Sequence, residues 1–124
     1  MKTKIIIYIS LFVLLCCSNN SCTKKNKYPI SLGEQTLVGK IVVEGNPCTT
    51  DPCLPCAVLW LKTTTDYYVL SIDYQWFCSR PIIVDGTEYS MDDEVEITGT
   101  VMVYIDINSE EYSNLEIETI RKIN

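Results

Sequence analysis

Histidine is absent from this sequence of 124 residues. Its absence excludes Ser-His-Asp and Cys-His catalysis, the usual general base near neutral pH, and every imidazole ligand for a metal ion. Glycine-rich phosphate-binding loops are absent too, because the sequence contains neither a G-x-G-x-x-G motif nor a Walker A motif. We therefore expect a protein that is not an enzyme and that carries no cofactor.

Basic residues are scarce beyond the N-terminal stretch. The chain has ten lysines and arginines against sixteen acidic residues. Five of the basic residues lie before residue 28 and all of the acidic ones lie after it, which leaves 28–124 with a formal net charge of −11. Such a charge repels the phosphates of nucleic acids and anionic lipid surfaces. Nucleic acid is therefore not an expected partner.

The N-terminus has the features of an export signal. Lys2 and Lys4 precede an apolar run of eleven residues over 5–15, which only Tyr8 and Ser10 interrupt. A helix that spans a bilayer needs about 20 residues, so this run is too short for one. It fits the hydrophobic region of a signal peptide.

The residues after this run resemble the lipobox of bacterial lipoproteins. Leu14 takes position −3, Cys16 position −1, and Cys17 the place of the lipidated first residue. Cys16 and Cys22 stay open as alternative lipidation sites, and so does a secretory signal that is cleaved without lipidation. We predict a lipoprotein signal peptide over 1–16, a flexible tether over 17–27 and a small β-barrel domain over 28–124.

Alternating and β-branched residues predict that this domain is all-β. We predict strands over 36–43, 57–62, 67–72, 95–107 and 115–120, and a short hairpin of 82–84 and 87–89 around Asp85-Gly86. The segment 73–81 breaks the alternation, so a short helix or a packed loop is expected there. Gly39 lies inside a strand, where it favours a bulge or a close backbone approach, and Gly99 lies in mid-strand, where it suggests a bend. Strands bent in this way indicate a small barrel of five to seven strands.

Three stretches carry a resemblance to the strand pattern of small OB-fold proteins: 38–42 (VGKIV), 92–101 (DDEVEITGTV) and 115–117 (LEI). With the lipobox, the chain resembles the small, mostly uncharacterised OB-fold-like lipoproteins of Bacteroidota over 36–120. In that group an acidic run after the lipidated cysteine favours export to the cell surface, and 18–24 (SNNSCTK) contains no acid. The resemblance therefore implies an anchor that faces the periplasm. It assigns no activity.

Four cysteines fall within the domain, and three of them lie in the proline-rich loop 46–56. An even number of cysteines in an exported domain predicts two disulfides, for which four cysteines allow three pairings. A Cys53–Cys56 bond would close a short, strained loop, so we expect one of the two to pair with Cys78 and the other with Cys48. Two alternatives stay open. Cys53-x-x-Cys56 could supply half of a four-thiolate zinc site, or form a thioredoxin-like redox pair, although a strand rather than a helix follows it.

Aromatic residues concentrated between 60 and 77 are candidates for ligand binding. Trp60, Tyr74, Trp76 and Phe77 could stack on a sugar ring or bind a partner peptide, and core packing is the alternative for the same residues. Acidic residues between 85 and 96 could hold calcium weakly. They lack the EF-hand spacing, and acids are ordinary in turns and on solvent-facing strands, so we predict no metal site.

These features predict a disulfide-stapled, non-enzymatic binding or interaction module in the bacterial cell envelope. It would contact the membrane through its lipid anchor only, and its partner would be a protein or a glycan. The alternative is a thiol-based redox or metal-handling protein that uses Cys53 and Cys56.

Overall fold

The structure is a computed structural model that describes residues 27–49, 53, 56–78 and 80–123. These residues form eight strands and no helix, which confirms the all-β prediction. The strands are β1 (Ile30–Gly45), β2 (Ala57–Lys62), β3 (Tyr67–Ile72), β4 (Gln75–Trp76), β5 (Ile82–Val84), β6 (Thr87–Tyr89), β7 (Glu94–Ile105) and β8 (Glu111–Lys122). The predicted signal peptide and the candidate lipidation sites Cys16, Cys17 and Cys22 lie outside the described residues. Within the described part of the chain there is no helix long and apolar enough to cross a membrane.

Five of the strands curl into a closed ring. β1 pairs with β2 and with β7, β8 pairs with β7 and with β3, and the pairing of β2 with β3 completes the ring. The β3–β8 pair is parallel, and the other four pairs are antiparallel. In this ring β1 lies between β2 and β7, and β3 runs parallel to β8. This barrel-like order agrees with the OB-like arrangement predicted from the sequence.

Alternation along the strands places one set of side chains inside the ring and the other outside. The inward set forms the hydrophobic core, whose fully buried members include Ile41, Leu61, Leu70, Ile97 and Leu115. The separate hairpin of β5 and β6 adds Ile82 and Tyr89 to the same core. In the hairpin turn, φ is 49° at Asp85 and 78° at Gly86. This is the left-handed geometry that an Asp-Gly dipeptide favours, and it agrees with the tight hairpin predicted there.

Glycines in β1 and β7 allow neighbouring backbones to come close. A Cβ atom at Gly39 would lie 2.4 Å from the carbonyl oxygen of Lys62, and one at Gly99 would lie 2.0 Å from that of Glu116. The β7–β8 register also shifts between Thr98 and Gly99, as a bulge requires. Gly39 therefore stands at a close approach of the kind that the sequence predicted, and Gly99 stands at a close approach and a register shift where the sequence predicted a bend.

The sequence predicts a short helix or a packed loop over 73–81, and of these the short helix is wrong. The segment contains a tight turn followed by the two-residue strand β4, which pairs with β3. Asp73 and Tyr74 have φ of 52° and 62° and reverse the chain direction. Farther along, Cys78 forms a β-bridge with Val58, which attaches this segment to β2 as well.

Two disulfides hold the loop between β1 and β2. Cys48 is bonded to Cys53 and Cys56 to Cys78, with Cα–Cα distances of 5.0 and 5.5 Å. This is one of the two pairings that the sequence favoured, so the prediction of two disulfides is confirmed. The second bond ties the start of β2 to the segment after β4. The loop is also held at its other end, since the amide of Ile107 donates a 2.7 Å hydrogen bond to the carbonyl oxygen of Cys48.

Candidate functional site

The candidate site is a cleft on the outer face of β3, β8 and β7. Because Leu70 and Leu115 face the core, their neighbours Ser71 and Asn114 face outward, and Tyr112 and Tyr104 continue the same face toward β7. The loop between β1 and β2 and the turn before β4 border this face. The cleft has a volume of about 200 Å³ and is lined by Thr49, Ser71, Tyr74, Trp76, Tyr104, Tyr112 and Asn114. We refer to these seven residues as the aromatic cleft.

Three aromatic rings form two walls of the aromatic cleft. Tyr104 and Tyr112 occupy opposed positions on β7 and β8, and their rings stack with centroids 5.7 Å apart and an interplanar angle of 21°. The Trp76 ring meets Tyr112 edge-on, at 6.2 Å and 85°. The walls therefore stand at nearly a right angle. Tyr74 also borders the cleft, with 83% of its surface accessible to solvent.

A buried polar network forms the floor of the aromatic cleft. The Asn114 amide donates to the carbonyl oxygen of Val69 at 2.9 Å and to the Ser71 hydroxyl at 3.0 Å. The Ser71 hydroxyl in turn donates to the Glu116 carboxylate at 2.5 Å, and the Tyr74 amide donates to the same carboxylate oxygen at 3.1 Å. Ser71 and Asn114 are only 1% and 5% exposed, so burial without these partners would be costly. The network fixes the floor and the turn that carries Tyr74.

The electrostatic surroundings of the aromatic cleft are acidic. Burial raises the pKa of the Tyr112 phenol above its usual range, and the nearby Tyr104 and Asp106 raise it further. Glu116 lies directly beneath the turn at Tyr74. Among the described residues that line the aromatic cleft there is no lysine or arginine. A ligand would therefore meet aromatic ring faces and negative potential together.

A second cleft adjoins the aromatic cleft at Tyr112. It shares Tyr112 and is bordered by Trp60, Asp66, Tyr67 and Glu111, with a volume of about 370 Å³. The Trp60 indole donates a 3.2 Å hydrogen bond to the carbonyl oxygen of Gly45, which fixes the plane of its ring. The Lys62 ammonium lies over the Tyr67 ring, 5.8 Å from its centroid. We call this the Trp60 cleft.

The four predicted ligand-binding residues therefore take three different positions. Tyr74 and Trp76 line the aromatic cleft, and Trp60 borders the neighbouring one. Phe77 does not belong to either cleft, because its side chain is 8% exposed and packs within the hydrophobic core. It is therefore a core residue, which was the alternative reading for these aromatics. Tyr104 and Tyr112 were missed as candidates, although alternation alone puts Tyr104 on the outer face of its strand.

The four domain cysteines form structural bonds rather than a Cys-x-x-Cys pair. Cys53 and Cys56 are bonded to different partners, so neither is joined to the other as a thioredoxin-like motif requires. A four-thiolate zinc site would need the same four sulfurs free. Within 27–49, 53, 56–78 and 80–123, no group of three or more cysteine and acidic residues is arranged to hold a metal ion.

Comparison with known proteins gives no relative: no protein family, no curated protein and no solved structure matches this chain.

Proposed function

We propose that this chain is a lipid-anchored, non-enzymatic binding module of the bacterial cell envelope, and that its ligand occupies the aromatic cleft. The observation that carries the proposal is the pair of aromatic walls, Tyr104–Tyr112 and Trp76, above a floor whose buried polar groups are already hydrogen-bonded. Partly exposed aromatic rings on a rigid sheet are typical of recognition surfaces, because they bury a large area at a low entropic cost.

Two further features support binding rather than catalysis. The chain has no histidine, and the serine of the cleft donates its hydroxyl proton to Glu116 while the Asn114 amide also bonds to that hydroxyl. These bonds hold Ser71 in the floor, 1% exposed, where it offers no accessible nucleophile. Apart from the exposed Thr49, the groups that reach solvent in the cleft belong to its aromatic residues.

Site-specific photo-crosslinking in living cells tests the binding site. A benzoylphenylalanine placed at Tyr74 should give one or a few discrete adducts, because its side chain borders the aromatic cleft and is 83% exposed. The matched control is the same residue at Ile83, which is 64% exposed on β5, away from both clefts. Equal adduct patterns from the two positions would contradict the proposal.

Metabolic labelling with an alkynyl fatty acid tests the anchor separately. We expect the wild-type protein to be labelled and Cys17→Ala to lose the label, while Cys22→Ala keeps it. Loss of the label in Cys22→Ala alone would move the anchor to that residue. A wild-type protein that is exported without any label would overturn lipid anchoring and leave a secreted domain. Protease protection of intact cells then distinguishes an anchor that faces the periplasm from one exposed at the surface.

A further inference from the structure

We propose that the aromatic cleft binds an arginine side chain presented by an extended segment of a partner protein. This inference rests on the proposed function, because it names the ligand of the same cleft. It follows from three features of the outer face: the angle between the aromatic walls, the sign of the surrounding charge and the continuation into the Trp60 cleft.

The angle between the aromatic walls suits a cation better than a sugar ring. A sugar stacks on one broad open ring face, whereas one face of the Tyr112 ring is already covered by Tyr104. The Trp76 ring stands at 85° to Tyr112 and forms a corner with it. A cation in such a corner can be attracted by more than one aromatic ring at once, and a planar guanidinium can in addition stack on one of them.

The surrounding charge has the sign that a cation requires. Glu116 lies under the Tyr74 turn, and Asp106 is close enough to Tyr112 to act on its phenol electrostatically. The Trp60 cleft adds Asp66 and Glu111. An anionic ligand would be repelled by these carboxylates, and a neutral glycan would gain hydrogen bonds from them without the charge attraction that a cation gains.

The same face already holds one cation in the predicted manner. The Lys62 ammonium lies 5.8 Å from the centroid of the Tyr67 ring at the edge of the Trp60 cleft. A cation–π contact thus forms there between residues of the chain itself. The described lining of the aromatic cleft contains no lysine or arginine, so a cation over its rings would have to come from outside that lining.

The two joined clefts indicate a peptide rather than a small free cation. They share Tyr112 and have volumes of about 200 and 370 Å³, so the recognised surface extends well beyond one side chain. An extended peptide that places arginine in the aromatic cleft would lay its next residues across Tyr112 toward Trp60. Main-chain groups of such a segment would then find Ser113 and Glu111 along the second cleft.

The test uses the full-length protein with 5-fluorotryptophan at both of its tryptophans, followed by ¹⁹F NMR. The probe is a blocked Gly-Gly-Arg-Gly-Gly peptide, and its matched control is the same peptide with citrulline, which keeps the shape of arginine without its charge. Trp60→Phe assigns the two signals. We expect the arginine peptide to shift the Trp76 signal in a saturable manner, and the citrulline peptide to bind about fivefold or more weakly.

Matched variants locate the effect in the chain. Tyr74→Ala and Glu116→Gln should each weaken the arginine peptide; the glutamine retains an oxygen that can accept the bonds from Ser71 and Tyr74. Glu118→Gln removes the same charge from the same strand outside both clefts and should leave binding unchanged. Raising the salt concentration should weaken binding of the arginine peptide, as expected for partly exposed charges.

The outcomes separate this inference from the proposed function. Equal binding of the arginine and citrulline peptides would overturn the proposal that the cleft recognises a positive charge. A saturable shift of Trp76 by neutral chitotriose, with no effect of the arginine peptide, also overturns it and leaves the cleft as a glycan-binding site. No shift with any of these probes overturns the arginine proposal, and the proposed function then depends on the crosslinking result at Tyr74.

Discussion

Gly99 lies where two backbones of the ring come closest. A Cβ atom there would be 2.0 Å from the carbonyl oxygen of Glu116, a backbone atom that cannot rotate away. Gly99→Ala should therefore destabilise the domain by at least about 2 kcal/mol, because β7 and β8 would have to separate. Gly45→Ala is the control, since a Cβ atom there meets nothing within 4 Å. Equal urea midpoints for the two variants would show that the β7–β8 contact has room to relax.

The phenol of Tyr112 makes stability depend on pH at the alkaline end. Burial, Tyr104 and Asp106 raise its pKa above the value it has in the unfolded chain, so the native state keeps its proton after the unfolded state has lost it. The contribution of Tyr112 to stability is fully present below about pH 10 and falls as the pH rises above it. The pKa of Tyr68 is raised as well, first by burial and then by Asp66, and acts in the same direction.

We therefore expect the urea midpoint of the wild-type protein to hold up to about pH 10 and to fall as the pH is raised further. Tyr112→Phe should show a smaller fall over the same interval, because phenylalanine has no proton to lose. An absorbance titration of the phenolate should also lose its latest-ionising component in this variant. A fall as large in Tyr112→Phe as in the wild type would mean that other groups govern the alkaline limit.

At the scale of the elements, the two disulfides should contribute unequally. Cys56–Cys78 joins residues separated by 22 positions and Cys48–Cys53 by 5, and a longer closed loop restricts the unfolded chain more. Removing the first with Cys56→Ser and Cys78→Ser should cost about 3 kcal/mol, and removing the second with the corresponding double variant about 2 kcal/mol. Urea unfolding of both double variants checks the order. The reverse order would assign the main stapling role to the short loop.

Alternation of apolar and polar side chains predicted the strands in which that alternation is clear. It failed for residues that are strand only because they pair with a neighbouring strand. β2 and β3 occupy the predicted residues, since each has a clear pattern and a polar turn lies between them. β1 begins at Ile30 rather than residue 36, because 30–35 has no such pattern and its register with β7 shifts at Gly33. No local rule indicates that these residues will pair with β7.

In the site, too, the sequence indicated residues that belong to a local pattern and missed a residue that strand pairing brings in. Tyr74 and Trp76 were candidates because aromatic residues are dense in their segment, and both line the aromatic cleft. Tyr112 falls where the sequence predicted a loop, and only the β7–β8 register brings it opposite Tyr104. The cleft joins residues from distant parts of the chain, so its walls could not be assembled from spacing. Phe77 follows the last residue of β4, and its side chain packs in the core.

At the scale of the whole molecule, closure of the ring depends on the parallel contact between β3 and β8. That contact spans four residue pairs, whereas the antiparallel β7–β8 contact spans eleven. Asn114 strengthens the short contact, since its side-chain amide bonds to the Val69 carbonyl and the Ser71 hydroxyl of the facing strand. The buried asparagine is thus both the floor of the aromatic cleft and a link that closes the ring.

Asn114→Ala should therefore weaken the fold and open the ring at one place. The substitution removes the amide that donates to the Val69 carbonyl oxygen and to the Ser71 hydroxyl. Loss of these buried hydrogen bonds should lower the free energy of unfolding by about 2 kcal/mol. Hydrogen exchange should quicken first at amides of β3 and β8, while the β1–β7 amides keep their protection until global unfolding. Asn108→Ala, in the exposed turn between β7 and β8, is the control and should change neither quantity. If both variants exchange alike, ring closure is maintained by the hydrophobic core alone, and the polar floor serves the cleft and not the fold.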